Sequence, residues 1–222
     1  MQYYDIHTHR IISDAKESNV KYILNLFPED NGKINSCESN VFFSCGLHPW
    51  YGDGDYKTKL QLLSDIVRGD RVVAVGEAGL DKFRGAKPEL QEIIFKEQIL
   101  LSEEVSKPLI IHNVKLWDSF FKAYKDMKPN QPWILHGYRG KPELTERLLA
   151  MGFYFSFGEH YNIESLRLVP LNRMFCETDE SVLSINSIYT NLSESLDIDS
   201  SSFILSIERN VLDLFSSISL EE

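Results

Sequence analysis

The sequence has little of several features that would define a class of function. The chain of 222 residues has only three cysteines, Cys37, Cys45 and Cys176, and their odd number and wide spacing favour a reducing cytoplasm over a disulfide framework. No apolar run approaches the roughly 18 residues needed to cross a bilayer. The opening segment MQYYDIHTHR lacks the basic and then apolar pattern of a secretory signal. No glycine-rich phosphate loop is present. We therefore expect a cytoplasmic protein without membrane contact and without a nucleotide-cofactor fold.

The sequence also lacks a positive charge balance. Lysine and arginine number 23 against 33 acidic residues, which leaves a net charge of −10. Such a chain repels nucleic acid at long range, which excludes a protein that coats DNA non-specifically. Contact with a nucleic acid would need a local basic patch or a metal ion. The 43% hydrophobic content is that of a globular protein, and the length predicts a single domain over residues 1–222.

Short strand patterns alternate with helical patterns along the chain. Eight runs rich in β-branched and aromatic residues predict strands at 3–7, 20–26, 41–47, 71–77, 108–112, 132–136, 152–157 and 173–178. Apolar residues at helical spacing predict helices at 57–67, 88–105, 117–125, 142–149 and 203–215. The stretch 25–40 is rich in turn residues and leaves no room for a full helix. We predict an α/β fold, a distorted TIM-like (β/α)8 barrel with shortened first βα units. An open doubly wound sheet is the alternative.

Histidines and carboxylates stand at or just after the predicted strand ends. In a parallel barrel these ends open on one face, where barrel active sites lie. Six residues there are candidate metal ligands: His7, His9, Glu77, His112, His136 and Asp179. Mixed imidazole and carboxylate donors suit one or two divalent ions, with Zn, Mn or Mg as candidates. Each residue alone is more typical of a structural hydrogen bond or a helix cap, so the prediction depends on their joint arrangement.

Several motifs occur in the order in which one protein family has them. They read DIHTH, GLHP, VGEAGLD, IIH, LHGYRG and ETD, and NVLDLF follows near the end of the chain. Together they resemble the TatD family of metal-dependent deoxyribonucleases, within the wider group of amidohydrolase-like barrels. The resemblance implies a metal-dependent hydrolase that cleaves phosphodiester bonds, with 3′-to-5′ exonuclease action on DNA.

The resemblance also implies roles for individual residues. His7 and His9 would hold one metal ion, and Glu77 would bridge it to a second. Asp179 would bind metal and orient or deprotonate the attacking water, which makes Asp179 and Glu77 the catalytic carboxylates. His48 would contact a substrate phosphate.

Residues in and near the later motifs are the candidates for binding the second ion and for the remaining substrate contacts. His112 and His136 would bind the second ion. In the family, an arginine usually follows soon after the first of these histidines, whereas this chain reads HNVK there. Lys115 would therefore supply the positive charge, as a compact ammonium group and not as a two-pronged guanidinium. Arg139 follows the strand of His136 and is a further candidate for holding a phosphate.

Other functions remain open at the level of sequence. The same metals could activate water for hydrolysis of a small amide or ester, or the chain could be a non-catalytic metal-binding relative. The predicted partners are DNA ends or a small phosphoester, and no obligate protein partner is evident. Trp50 could stack on a base or pack under its loop, Asp81 is expected to support a ligand, and His160 is expected at the surface.

Overall fold

The computed structural model describes residues 1–11, 19–215 and 218, and eight β-strands among them form one sheet. The strands are β1 Tyr3–Thr8, β2 Val20–Leu26, β3 Val41–Cys45, β4 Val72–Asp81, β5 Leu109–Val114, β6 Trp133–Leu135, β7 Tyr154–Phe157 and β8 Met174–Cys176. Their order in the sheet is their order in the sequence. An isolated parallel bridge joins Thr8 of the first strand to Asp179, just after the last. Sequential order and this closing bridge are those of the predicted (β/α)8 barrel.

Helices connect the strands, except early in the chain. The described α-helices are α1 Tyr56–Ile66, α2 Pro88–Val105, α3 Trp117–Met127, α4 Pro142–Ala150, α5 Ile163–Leu168, α6 Ile185–Leu196 and α7 Ser200–Leu214. Three 3₁₀ helices cover Pro28–Ser36, Pro49–Tyr51 and Leu171–Arg173. The first of these is the helical element between β2 and β3, which confirms that this βα unit is shortened. The connection from β1 to β2 contains residues 12–18, which lie outside the described residues.

Two helices near the end of the chain were not predicted. Helix α5 has six residues, too few for a periodic pattern to stand out. Helix α6 does carry apolar residues at helical spacing, and the side chain of Ser184 caps it by accepting from the Ser187 N–H. Helix α7 begins at Ser200, where the side chain of Asp199 caps it by accepting two backbone N–H groups.

Strand β4 is longer than predicted, and the expected strand end at Glu77 is wrong. The strand runs to Asp81 because its parallel pairing with β5 continues through Gly79–His112 to Asp81–Val114. All ten of its residues are buried. Glu77 therefore lies within the strand, and Asp81 stands at its carboxyl end.

The chain divides into two compact units. The first comprises Met1–Leu24, Glu38–Phe42 and Ile134–Glu222, and the second comprises Asn25–Cys37 and Phe43–Trp133. That residues 1–222 form one domain stays a prediction.

Each unit has aromatic residues in its core. In the first, the buried Tyr189 hydroxyl donates to the backbone oxygen of Tyr4 at 3.1 Å. In the second, buried rings of Phe95, Phe120 and Trp133 lie against each other with centroids 5.5 to 6.3 Å apart. Packed cores of this kind hold the strands that carry the polar clusters.

Two findings bear on the sequence-based expectations about cysteines and membranes. All three cysteines are free, and Cys45 and Cys176 are buried among core residues. Across the described parts of the chain, no helix has the length and apolar character needed to span a membrane.

Candidate metal centre

Strand β1 of the first unit brings two histidines to one aspartate. The Nε2 atoms of His7 and His9 lie 3.8 and 3.4 Å from the same Asp179 carboxylate oxygen. His7 lies in β1 and His9 directly follows its last residue, and residues two apart on an extended chain point to the same side. Donor atoms of the three residues all lie within 4.8 Å of one another. This set, the histidine–Asp179 cluster, has the spacing of ligands around one ion.

Backbone and side-chain contacts hold Asp179 beside β1. Its N–H donates to the His7 carbonyl at 2.9 Å, and its φ of 54° turns the chain into the left-handed region. The preceding residue, Thr178, donates from its N–H and its hydroxyl to the two carboxylate oxygens of Asp5, at 3.0 and 2.6 Å. Burial raises the pKa of Asp5 to about 7, in spite of these hydrogen bonds. Asp5 thus supports the segment that presents Asp179.

A second carboxylate of the first unit contacts a histidine. The fully buried Glu177 accepts the Gly137 N–H through Oε1 at 2.6 Å, and the same oxygen lies 3.4 Å from Nδ1 of His136. Burial opposes ionisation of Glu177, but hydrogen bonding to His136 and its charge outweigh burial and lower the pKa of the carboxyl group. Donor atoms of His136, Glu177 and Asp179 lie within 4.8 Å of one another. Glu177 either orients His136 or adds a donor to the set.

The second unit contains its own donor set. Oε1 of the buried Glu77 lies 3.1 Å from Nε2 of His48 and 2.9 Å from Nδ1 of His112. Their donor atoms also fall within 4.8 Å of one another. The Glu77 N–H donates to Asn25 Oδ1 at 2.8 Å, which fixes the backbone at this point. We call His48, Glu77 and His112 the Glu77 cluster. It places His48, which the sequence predicts to be a phosphate contact, beside the predicted metal ligands Glu77 and His112.

Asp81 holds the other nitrogen of His112. Its Oδ2 lies 3.1 Å from His112 Nε2 and accepts the Trp50 indole N–H at 2.7 Å. Hydrogen bonds from Trp50, Phe83 and His112 outweigh desolvation and lower the pKa of Asp81. A carboxylate on one imidazole nitrogen orients the ring so that the other nitrogen can bind metal. Asp81 therefore orients His112, and its support of a metal ligand stays a prediction.

Aromatic residues near the clusters are engaged in packing. The Trp50 indole is tied to Asp81, and the Arg84 guanidinium lies 3.6 Å from the centre of its ring, so Trp50 packs under its loop. Tyr138 is buried and shares a 2.9 Å hydrogen bond with Thr145, and desolvation raises the pKa of its hydroxyl to about 12.

A cavity of about 250 Å³ opens beside Asp179 in the first unit. It is lined by Gly137, Arg139, Gly158, Glu159, His160, Glu177, Thr178, Asp179, Glu180 and Ser181. The predicted substrate contact Arg139 and the predicted catalytic residue Asp179 are thus brought to one cavity. Lys115, the other predicted basic contact, lies exposed just after β5 in the second unit with a φ of 60°.

Sequence reasoning missed two residues of this site. Glu177 stands two residues before Asp179 in the ETD motif, and this proximity is the signal that could have found it. His160 is exposed as expected, but it lines the cavity, and no motif of the chain marks it. The assignment of His112 and His136 to one ion, with Glu77 as a bridge, stays a prediction.

The residues fit a divalent metal ion. Each cluster combines imidazole nitrogens with carboxylate oxygens, which is the donor set of Zn and Mn sites and of hydrolases that use them. A parallel (β/α)8 barrel that carries such clusters has the fold and the donor groups of a metal-dependent hydrolase.

Comparison with known proteins places the chain in a family. The family model described as TatD related DNase matches residues 2–187, so the protein belongs to the TatD family. An uncharacterized metal-dependent hydrolase of Buchnera aphidicola is 30% identical over 200 residues, covering 83% of this chain and 75% of that protein. A Schizosaccharomyces pombe protein named deoxyribonuclease Tat-D is 30% identical over 66% of this chain and 49% of its own length. For several other curated relatives, the match covers 57% to 61% of their length.

The fold also matches solved structures of this family. The crystal structure of YJJV, a TatD homologue from Escherichia coli K12, superposes with a TM-score of 0.83 over 96% of this chain and 98% of that one, at 21% identity. The likeness confirms the barrel fold and, at this identity, nothing further.

Proposed function

We propose that this TatD-family hydrolase cleaves phosphodiester bonds at DNA ends, as a 3′-to-5′ exonuclease that uses a metal-activated water. The name of the fission-yeast relative and the family model support a nucleic-acid substrate. One observation carries the proposal: Asp179 of the histidine–Asp179 cluster lines the same cavity as Arg139. The side chains of His9 and Asp179 are 27% and 30% exposed, so that solvent and substrate can reach a bound ion.

In this proposal, the residues of the clusters bind the metal ions and activate the attacking water. His7, His9 and Asp179 would hold one ion, with His136 as a further donor beside Asp179, and Glu77 with His112 would hold a second. A bound divalent ion lowers the pKa of its water and stabilises negative charge on the reacting phosphate. Asp179 would orient the attacking water and accept its proton.

The substrate is held by basic residues beside the donor sets. Arg139 binds phosphate oxygens through its planar, two-pronged guanidinium group. His48 and Lys115 are the other proposed phosphate contacts, although His48 also lies within hydrogen-bonding distance of Glu77. The three free cysteines support the proposed cytoplasmic location.

The test is cleavage of a 5′-labelled single-stranded DNA. Protein stripped of metal receives Mg, Mn or Zn in turn, and we expect stepwise shortening that requires metal and is lost in Asp179→Asn. Asp197→Asn is the matched control, because Asp197 has a φ of 56° against 54° for Asp179 and does not line the cavity. Absence of cleavage by folded protein in every metal would contradict the proposal.

A second candidate function is hydrolysis of a small amide or ester. It is favoured by the carboxylates of Glu159 and Glu180 in the cavity, which disfavour a polyanion. Metal-dependent release of p-nitrophenol from p-nitrophenyl acetate, without any cleavage of DNA, would support this candidate. Metal binding without turnover of either substrate would indicate a non-catalytic relative.

A further inference from the structure

Two basic side chains line the Asp179 cavity without a partner of their own. Arg139 follows β6 and His160 follows β7, and both are exposed. Within residues 1–11, 19–215 and 218, neither side chain takes part in a hydrogen bond, an ion pair or a ring contact. Their donors are therefore available to a ligand in the cavity.

Four carboxylates line the cavity, and three of them are engaged; among these described residues, only the exposed side chain of Glu180 makes no hydrogen bond or ion pair. Glu159 accepts the Ser181 hydroxyl at 2.6 Å, and Glu177 accepts the Gly137 N–H at 2.6 Å. Asp179 lies 3.4 Å from His9 within the proposed metal site. An anion that enters would find two uncommitted basic groups, and the negative charge of the carboxylates would restrict it to the part of the cavity beside Arg139 and His160.

The loops that carry the two basic residues are held in place. The Gly140 carbonyl, next to Arg139, accepts the Ser165 hydroxyl at 2.7 Å. Just beyond His160, the Asn162 side chain accepts the Ser165 N–H at 2.9 Å and caps helix α5. A single residue, Ser165, thus joins the two loops. A site built in advance loses less entropy when it binds a ligand.

The cavity is small. Its volume of about 250 Å³ falls just below the ~300–1,000 Å³ typical of small-molecule sites, so it accommodates one compact group and not a duplex. In a polynucleotide, the compact anion nearest to the reacting phosphodiester is the next phosphate along the strand. A guanidinium and an imidazole are suitable donors for such a group.

We infer that Arg139 and His160 together bind the phosphate adjacent to the one that is hydrolysed. This inference rests on the proposed phosphodiesterase function and adds His160 as a substrate-binding residue. It predicts that the protein prefers substrates with a second phosphate next to the scissile one. A substrate that lacks this phosphate would leave the Arg139–His160 pair unused.

Two dinucleotides that differ by one phosphate test the inference. Thymidylyl-thymidine with and without a 5′-phosphate is hydrolysed in the metal that supports activity, and products are separated chromatographically. We expect kcat/KM to be about tenfold higher for the phosphorylated dinucleotide, the effect of one charge-assisted contact. Arg139→Ala and His160→Ala should each lower this ratio by roughly three- to tenfold, chiefly through KM, and His160→Lys should restore most of it.

Controls separate this inference from the proposed function. Lys141→Ala removes an exposed cation two residues from Arg139 that does not line the cavity, and should leave the ratio unchanged. Equal ratios in wild type, Arg139→Ala and His160→Ala, with cleavage intact, would overturn the inference alone. If wild type cleaves neither dinucleotide, the proposed function fails. In that case, calorimetry measures the affinity of Asp179→Asn for each dinucleotide. Equal affinities would overturn the proposed phosphate site.

Discussion

Glu177 shows how one buried carboxylate can orient a proposed metal ligand, His136. Its charge is retained inside the protein because it accepts a backbone N–H and faces His136, in agreement with its lowered pKa. A carboxylate on Nδ1 of a histidine leaves Nε2 available for a metal ion and raises the basicity of the ring. The same arrangement recurs in the second unit, where Asp81 holds Nε2 of His112 and leaves Nδ1 toward Glu77.

Replacing Glu177 tests this role. Glu177→Gln keeps an oxygen for the Gly137 N–H but removes the charge that faces His136. We expect metal affinity to fall by roughly 10- to 100-fold while the protein stays folded. Competition with a chromophoric chelator measures the affinity, and circular dichroism monitors the fold.

The matched control for this substitution is Glu164→Gln, at the exposed first turn of α5. It makes the same chemical change away from the cavity and should leave metal affinity unaltered. An unchanged affinity in Glu177→Gln would show that His136 needs no carboxylate partner.

At the scale of elements, β4 places two functional carboxylates on one strand. Glu77 and Asp81 are four residues apart, so their side chains lie on the same face of the strand. Pairing of β4 with β5, which resumes at Ala78 after a register shift, brings both to His112, one to each nitrogen. The pairing depends on Gly79, which lies opposite His112 with a φ of 149°.

A methyl group at position 79 should disrupt the pairing of β4 with β5. A Cβ on Gly79 would lie 1.8 Å from the His112 carbonyl oxygen, so the two strands would have to separate. We expect Gly79→Ala to lower the free energy of unfolding by about 3 kcal/mol or more, from overpacking and backbone strain together. Urea denaturation of the metal-free protein measures this loss.

Gly32→Ala is the matched control for Gly79→Ala, because it adds the same methyl group without a close contact. Gly32 lies in a 3₁₀ helix of the same unit, and a Cβ there would meet nothing within 4 Å. Gly32→Ala should therefore change stability by less than about 0.5 kcal/mol. Similar losses in both variants would exclude the contact with His112 as the cause.

At the scale of the whole molecule, metal binding should stabilise an acidic chain. The net charge of −10 includes carboxylates concentrated in the donor clusters, and divalent cations would offset part of their repulsion. A ligand that binds the folded state at 100 times its dissociation constant adds about 2.7 kcal/mol to the unfolding free energy.

Thermal unfolding with and without metal measures this gain. For a chain of this size, we expect the midpoint to rise by about 5–10 °C when Zn or Mn replaces chelator. Asp179→Asn should show a smaller rise, because it removes a donor from the histidine–Asp179 cluster, and Asp197→Asn should behave as wild type. Equal midpoints in metal and in chelator would mean that the clusters bind no metal.

Local patterns along the chain were sufficient for much of this architecture. Apolar runs with turn residues between them predicted all eight strands, because strands covered on both faces must be apolar on successive residues. Helix α2 was predicted with the bounds that the structure shows, since Pro88 and its helical periodicity are local signals. The motifs likewise predicted His7, His9 and Asp179, which the structure brings within 4.8 Å of one another.

The tertiary structure alone decided which polar groups meet across long separations. Glu177 contacts a histidine 41 residues away, and Asp81 contacts one 31 residues away. Trp50 could be assigned to packing only after its indole was seen to donate to Asp81. His160 carries no sequence signal, because its place in the cavity depends on where the loop after β7 is anchored. Sequence by itself determined the alternation of elements and the chemical types of the ligands, since both follow from local propensity and motif. Partners and cavities required the fold, because strand pairing and loop anchoring set the distances between residues remote in the chain.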